Sequence, residues 1–277
     1  MKHETLTFRF LDMSRGGVAR LFLLLLLPCL SVIGVKADSN GGVKFNSGVR
    51  YSQWAINSRL HDFKESTNNC GFDLYDKDGK LTKAAATWTK NDNGLTKRFH
   101  YVPGLVAKAI LESADFYKGF DWSKPWFYSA QAYAQEVTYN NDTSAPTLDA
   151  MNAVKMYFPI LSSSLKSSNI ETKANTAISK LATDLKNYND NFSIGGKKSS
   201  LKETDANDTQ KGMLGGWFHK STDYVDQMWL DGAYMGSATL AQLAEYYNGK
   251  NNIFGSTSAD WNMVTKQLNI VWNNCWD

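Results

Sequence analysis

The stretch Gln227-Met228-Trp229-Leu230-Asp231-Gly232-Ala233-Tyr234-Met235 opens a run in which Leu230, Ala233/Tyr234, Ser237, Leu240/Ala241, Ala244 and Tyr247 recur every three or four residues. That period lays them along one stripe of a helix predicted over 227–247. Upstream, Val102, Leu105, Val106, Ala109, Ile110 and Ala114 repeat in the same way, and a second candidate helix spans 126–137. A third is predicted over 148–165, with Met151, Val154, Tyr157/Phe158 and Leu161 on one side. A fourth follows Ser168, which with Glu171 reads as a capping box ahead of Ile170, Ala174, Ala177/Ile178, Leu181 and Leu185. A last helix is predicted over 260–275. Successive helices with short turns imply an all-α array.

The remaining segments punctuate that array. Residues 51–63 have Trp54, Ile56, Leu60 and Phe63 at roughly helical spacing. Between Cys70 and Thr89 the turn Asp76-Lys77-Asp78-Gly79 suggests a short hairpin. It does not fit a calcium loop, because Leu74 and Ala85 stand where the first and twelfth ligands belong. A polar stretch over 187–210, dense in Asn, Asp, Ser, Lys and Gly, is expected to be a long loop directly before Gly215-Gly216-Trp217-Phe218-His219-Lys220.

Composition narrows the function classes. The chain has 277 residues, 43% of them hydrophobic, enough for a substantial core. Its formal net charge is +3 and it has no long Lys/Arg run, so nucleic acid is not an expected partner. Arg15 and Arg20, an apolar run over 21–35 broken by Pro28, and Lys36-Ala37-Asp38 read as a signal peptide over 1–37. A mobile tail over 38–48 and a domain over 49–277 complete the expected organisation. Export to a periplasmic or secreted location follows, with no stable membrane span after cleavage. Four scattered His and the absence of paired cysteine spacing give no expectation of a metal or cofactor. Cys70 and Cys275 remain in the mature chain, and sequence does not say whether they meet.

Asp231 lies one position off the apolar stripe, close to its helix start, with Trp229 two residues before it. An Asp there is also what helix capping and the macrodipole favour, so alone it does not define a site. The surrounding string Gln-Met-Trp-Leu-Asp-Gly-Ala-Tyr-Met, with Gly-Gly-Trp-Phe-His-Lys upstream, resembles glycoside hydrolase families 88 and 105, the unsaturated uronyl hydrolases. Three further stretches fit in order: Arg98-Phe99-His100-Tyr101-Val102-Pro103-Gly104-Leu105, Thr147-Leu148-Asp149-Ala150-Met151-Asn152-Ala153, and 261–272. The resemblance runs from about Val49 to the end and implies an (α/α)6 barrel of paired helices. In that family the domain continues beyond the equivalent of Asp277, so the chain is expected to hold the N-terminal part of such a barrel, incomplete at its C-terminus.

The resemblance also implies a chemistry. Polysaccharide lyases leave oligosaccharides ending in a uronate with a C4=C5 double bond. These hydrolases remove it by hydrating the bond, and one carboxyl group both protonates C4 and activates the water that adds at C5. Carried over by motif, Asp231 is that acid and base and Asp149 the second carboxylate. His219 and Lys220 are candidates for binding the uronate, Trp229 for stacking on the sugar and Tyr101 for lining the cavity. The expected substrate is an unsaturated uronyl oligosaccharide from pectin, most simply a rhamnogalacturonan product. Two alternatives stay open: a truncated, non-catalytic carbohydrate-binding helical protein, and an ordinary two-carboxylate (α/α)6 glycosidase.

Overall fold

Amphipathic periodicity becomes helix along most of the described residues. The computed structural model describes residues 51–60, 72–84, 99, 101–140 and 146–275; of these, 64% are helical and 5% lie in strands. All belong to one unit, Arg50–Asp277. The leader, the tail and residues Phe63, Cys70, Arg98 and His100 fall outside the described residues, as does the cysteine pairing.

Helix α1 (Tyr51–Leu60) is followed by the hairpin β1 (Leu74–Tyr75) and β2 (Leu81–Lys83), paired antiparallel. Its turn is held by Asp76, whose Oδ1 accepts from the amides of Asp78 at 3.0 Å and Lys80 at 2.9 Å. Gly79 supplies the left-handed φ of 79° that closes the turn. Helices α2 (Tyr101–Phe116) and α3 (Lys124–Glu136) then pack against one another. Ala107, Ile110, Leu111 and Ala114 of α2 and Trp126, Phe127, Ala130, Tyr133 and Ala134 of α3 are buried, the i, i+3, i+4 pattern expected of facing stripes.

The helix predicted over 148–165 is instead three pieces. Helix α4 (Leu148–Asn152) runs into a 3-10 turn, Ala153–Met156, and then α5 (Tyr157–Ser162). Two features account for the break. Pro159 has no N–H to offer the carbonyl four residues before it. Gly104 comes so close that a Cβ added there would stand 2.7 Å from the Ala153 Cβ, and the narrower 3-10 turn fits that approach.

Helix α6 (Ser168–Asn191) carries the long stripe from Ile170 to Tyr188 and is longer than predicted, so residues 187–191 are helix and not loop. Its N-cap is Ser167, whose side chain accepts from the Ile170 amide, and not Ser168 as the sequence suggested. The rest of the polar stretch holds a 3-10 turn, Glu203–Asp205, and α7 (Asp208–Lys211), which starts on a capping box between Asn207 and Gln210.

The helix predicted over 227–247 begins three residues later. Gln227 and Met228 stay outside it, Trp229 is the extended N-cap, and α8 (Leu230–Gly232) passes through a π turn, Ala233–Ser237, into α9 (Ala238–Tyr247). Asn248 ends it in the left-handed conformation. Helix α10 (Thr257–Cys275) packs back on α9. Among the described residues no helix is long and apolar enough to cross a membrane.

Candidate functional site

The segment before α8 is the frame of the site. Residues 192–194 and 215–218 form a short antiparallel ladder, through Ile194 N to Gly216 O at 2.8 Å, Gly215 N to Ile194 O at 2.7 Å and Phe218 N to Phe192 O at 3.0 Å. Trp217 locks it from both sides: its amide donates to Gln267 on α10 at 2.9 Å, and its indole N–H donates to Asn189 on α6 at 3.1 Å. The buried Tyr188 hydroxyl donates to the Phe218 carbonyl at 2.8 Å. Next along, Lys220 bridges to Thr147, the N-cap of α4, and the His219 amide donates to Gln227 O at 2.8 Å. The adjacent residues His219 and Lys220 are thus fixed between the starts of α4 and α8.

Those two helix starts carry the two carboxylates. Asp149 is the second residue of α4, and Lys220 Nζ stands 3.8 Å from its Oδ2. Asp231 is the second residue of α8, and His219 Nδ1 stands 3.5 Å from its Oδ1. The His219 side chain is 5% exposed and that of Asp231 50%. Nδ1 has no hydrogen-bond partner, so its approach to Asp231 is a close contact and not a hydrogen bond. The helix starts also touch: a Cβ on Gly232 would meet Leu148 Cδ1 at 3.5 Å and His219 Nδ1 at 3.8 Å. Asp149 is felt deeper still, because Tyr188 is pushed up first by burial and further by the Asp149 charge.

Aromatic rings build the wall. The His219 imidazole and Trp229 indole are stacked, with centroids 4.4 Å apart and planes 3° from parallel. Tyr224 leans on Trp229 at 4.5 Å, and Lys220 Nζ lies 5.5 Å from the Tyr224 ring centre. Trp229 remains 40% exposed, so one part of it is spent on His219 and another faces solvent. The loop carrying Tyr224 turns at Asp226, a non-glycine residue at φ 58°. Its carboxylate accepts from Ser199 Oγ, Ser200 Oγ and, at 2.8 Å, the Ser200 amide. Burial raises Asp226, but these hydrogen bonds outweigh it and hold the carboxyl below the usual range.

Five of the six residues singled out from sequence, Asp149, His219, Lys220, Trp229 and Asp231, are brought together by these contacts. Tyr101 is the first residue of α2, half-buried and packed against the core. Lys155 escaped the sequence reading. It is 1% exposed, donates from Nζ to the Tyr234 carbonyl at 2.9 Å, and lies 3.4 Å from the Tyr234 ring centre. A lysine among apolar neighbours is ordinarily read as solvated, and no motif flags it. Tyr188 escaped it too, because position 188 falls in the stretch expected to be a loop.

Among the described residues no cluster of three or more His, Cys, Asp or Glu is placed to hold a metal. A cavity of about 370 Å³ lies between α2, α3 and the end of α5, lined by Asp115, Lys118, Lys124 and Ser163 among others. It shares no residue with the carboxylate site, and the Ser123 hydroxyl on its wall is spent on the Tyr117 and Phe120 carbonyls. Neither a protein-family model, nor a curated protein, nor a solved structure matches this chain.

Proposed function

We propose that the chain is an exported hydrolase that removes a terminal unsaturated uronic acid from lyase-generated oligosaccharides, carried on an (α/α)6 array of paired helices. The observation that carries this reading is the pairing of two adjacent residues with two carboxylates distant in sequence, Lys220 with Asp149 and His219 with Asp231. The packing of α2 on α3 and of α9 on α10 supports the helical pairing.

In this reading the half-exposed Asp231 meets the substrate. It delivers a proton to C4 and takes one from the water whose oxygen bonds to C5. The hemiketal formed at C5 opens to a ketone, leaving a hemiacetal at the anomeric carbon that expels the neighbouring sugar. Lys220 faces the substrate carboxylate as a cation, with Asp149 holding its ammonium in place when the site is empty. Trp229 offers a flat apolar surface to the sugar ring, held in orientation by the stack with His219.

The test is to mix the full chain with an unsaturated uronyl disaccharide and follow the ultraviolet absorbance of the conjugated double bond. Steady loss of absorbance that disappears in Asp231→Asn is expected. Turnover of the saturated disaccharide would move the chain to the ordinary two-carboxylate glycosidases. Binding of the unsaturated sugar without turnover would make it a binding protein, and undiminished activity in Asp231→Asn would remove Asp231 from the chemistry.

A further inference from the structure

The π turn Ala233–Ser237 begins two residues after Asp231. A π turn replaces the usual i to i+4 ladder by i to i+5 bonds, as from the Ala238 amide to the Ala233 carbonyl here, and its carbonyls can take further donors. Two side chains act as such donors. Thr239 Oγ1, fully buried, donates to the Met235 carbonyl, and Lys155 Nζ donates to the Tyr234 carbonyl at 2.9 Å. Thr239 acts within its own helix. Lys155 comes from elsewhere: it sits in the 3-10 turn that continues α4, the helix that carries Asp149 in its first turn.

The two helix starts are consequently joined at two points. At the outer end the Leu148 methyl packs beside Gly232 and Gly236, at ordinary contact distance, 3.5 Å, from the Cβ either would carry. At the inner end Lys155 grips the Tyr234 carbonyl and lies on the Tyr234 ring. Leu148 gives only an apolar contact, which tolerates sliding. The Lys155 bond is directional and comes from a buried side chain, so it fixes register.

Burying a lysine is expensive, and among the described residues no carboxylate pairs with it; Glu112 of α2 acts on it only at longer range and Lys108 opposes it. A Leu or Met would fill the same volume at no such cost. What the lysine adds is the donor. We propose that Lys155 is a positioning residue, which fixes the turn carrying Asp231 against the turn carrying Asp149 by holding the Tyr234 carbonyl of the π turn. This rests on the reading that the two carboxylates act on one substrate.

The experiment uses the full chain with Lys155→Met, and Lys155→Leu as the second apolar replacement should the first not fold. Turnover of the unsaturated disaccharide is measured together with amide hydrogen exchange. Loss of register is expected to lower kcat at least tenfold while KM stays within about twofold, because the uronate contacts at Lys220 are left in place. The amides of residues 234–239 are expected to exchange at least tenfold faster, with the rest of α9 unchanged. Unchanged kcat with unchanged exchange in a folded variant overturns the proposal, as does a rise in KM alone. If the wild-type chain turns over nothing, the hydrolase reading fails, and the exchange of 234–239 still decides whether Lys155 braces the π turn.

Discussion

The imidazole of His219 lies flat on the indole of Trp229, with ring centres 4.4 Å apart and planes 3° from parallel. The contact ties a buried residue of the 215–220 segment to the N-cap of the helix bearing Asp231. It therefore sets the position of Asp231 as well as the wall beside it.

Trp229→Ala is expected to separate these two roles. The indole is 40% exposed, so losing it should cost about 1–3 kcal/mol of stability, the scale of its two ring contacts with His219 and Tyr224. Affinity for an unsaturated uronyl disaccharide, measured by calorimetry in the Asp231→Asn background to prevent turnover, should fall about tenfold, or ~1.4 kcal/mol. A large drop in melting temperature with unchanged affinity would make Trp229 a packing residue only.

Gly104→Ala tests the cause of the broken helix after Asp149. The added methyl would stand 2.8 Å from the Ala153 Cα, a backbone atom that cannot swing aside. Overpacking of this kind costs about 1–3 kcal/mol, against a helix propensity gain of about 1 kcal/mol. Net destabilisation is expected in urea unfolding. Gly232→Ala is the control: its nearest neighbours would be at 3.5 and 3.8 Å, so stability should hold or rise slightly.

These positions mark how far the sequence was legible. The stripes of α2, α3, α6 and α9 could be read because an amphipathic helix buries one residue in every three or four. The break at Ala153–Met156 could not, because a 3-10 turn of four residues keeps almost the same spacing, and its cause is a contact with Gly104, far away in sequence. The π turn was hidden for a similar reason: one extra residue per turn barely disturbs the apolar pattern, and it becomes visible only through the carbonyls that Lys155 and Thr239 take up. At the site, Asp149, His219, Lys220 and Asp231 were selected through a resemblance of motifs, since no periodicity brings 149 beside 220. Lys155 had neither route, because burial of a charged side chain is a tertiary property.

Asp260 supplies a stability prediction independent of the site. It is 1% exposed, and its carboxylate accepts from the Ile253 amide at 3.1 Å and the Phe254 amide at 2.7 Å, holding the α9–α10 loop onto the first turn of α10. Asp260→Ala strands both donors, and each buried donor left unpaired costs about 1–3 kcal/mol. A loss of about 2–6 kcal/mol in urea unfolding is expected. Faster amide exchange should centre on 252–260, and a loss below 1 kcal/mol would show that water replaces the carboxylate.

Lys155 should leave a signature in the pH dependence of stability. The Tyr234 ring and carbonyl both favour its cation, but burial is the larger influence and Lys108 adds to it, pushing the amine from 10.5 down to about 6, with Glu112 opposing. Between about 6 and 10.5 the unfolded chain therefore holds a proton that the folded chain lacks. Fewer protons bound in the folded state means that stability from this group rises with pH across that window, by up to about 1.4 kcal/mol per unit, and is level below it. Lys155→Met removes the group from both states. The difference in unfolding free energy between wild type and variant, measured in urea at pH 6.5 and 8.5, should shift in favour of wild type by up to about 3 kcal/mol at the higher pH. Parallel curves would mean that the buried amine keeps its proton in the folded state, and that its grip on the Tyr234 carbonyl is that of an ammonium throughout.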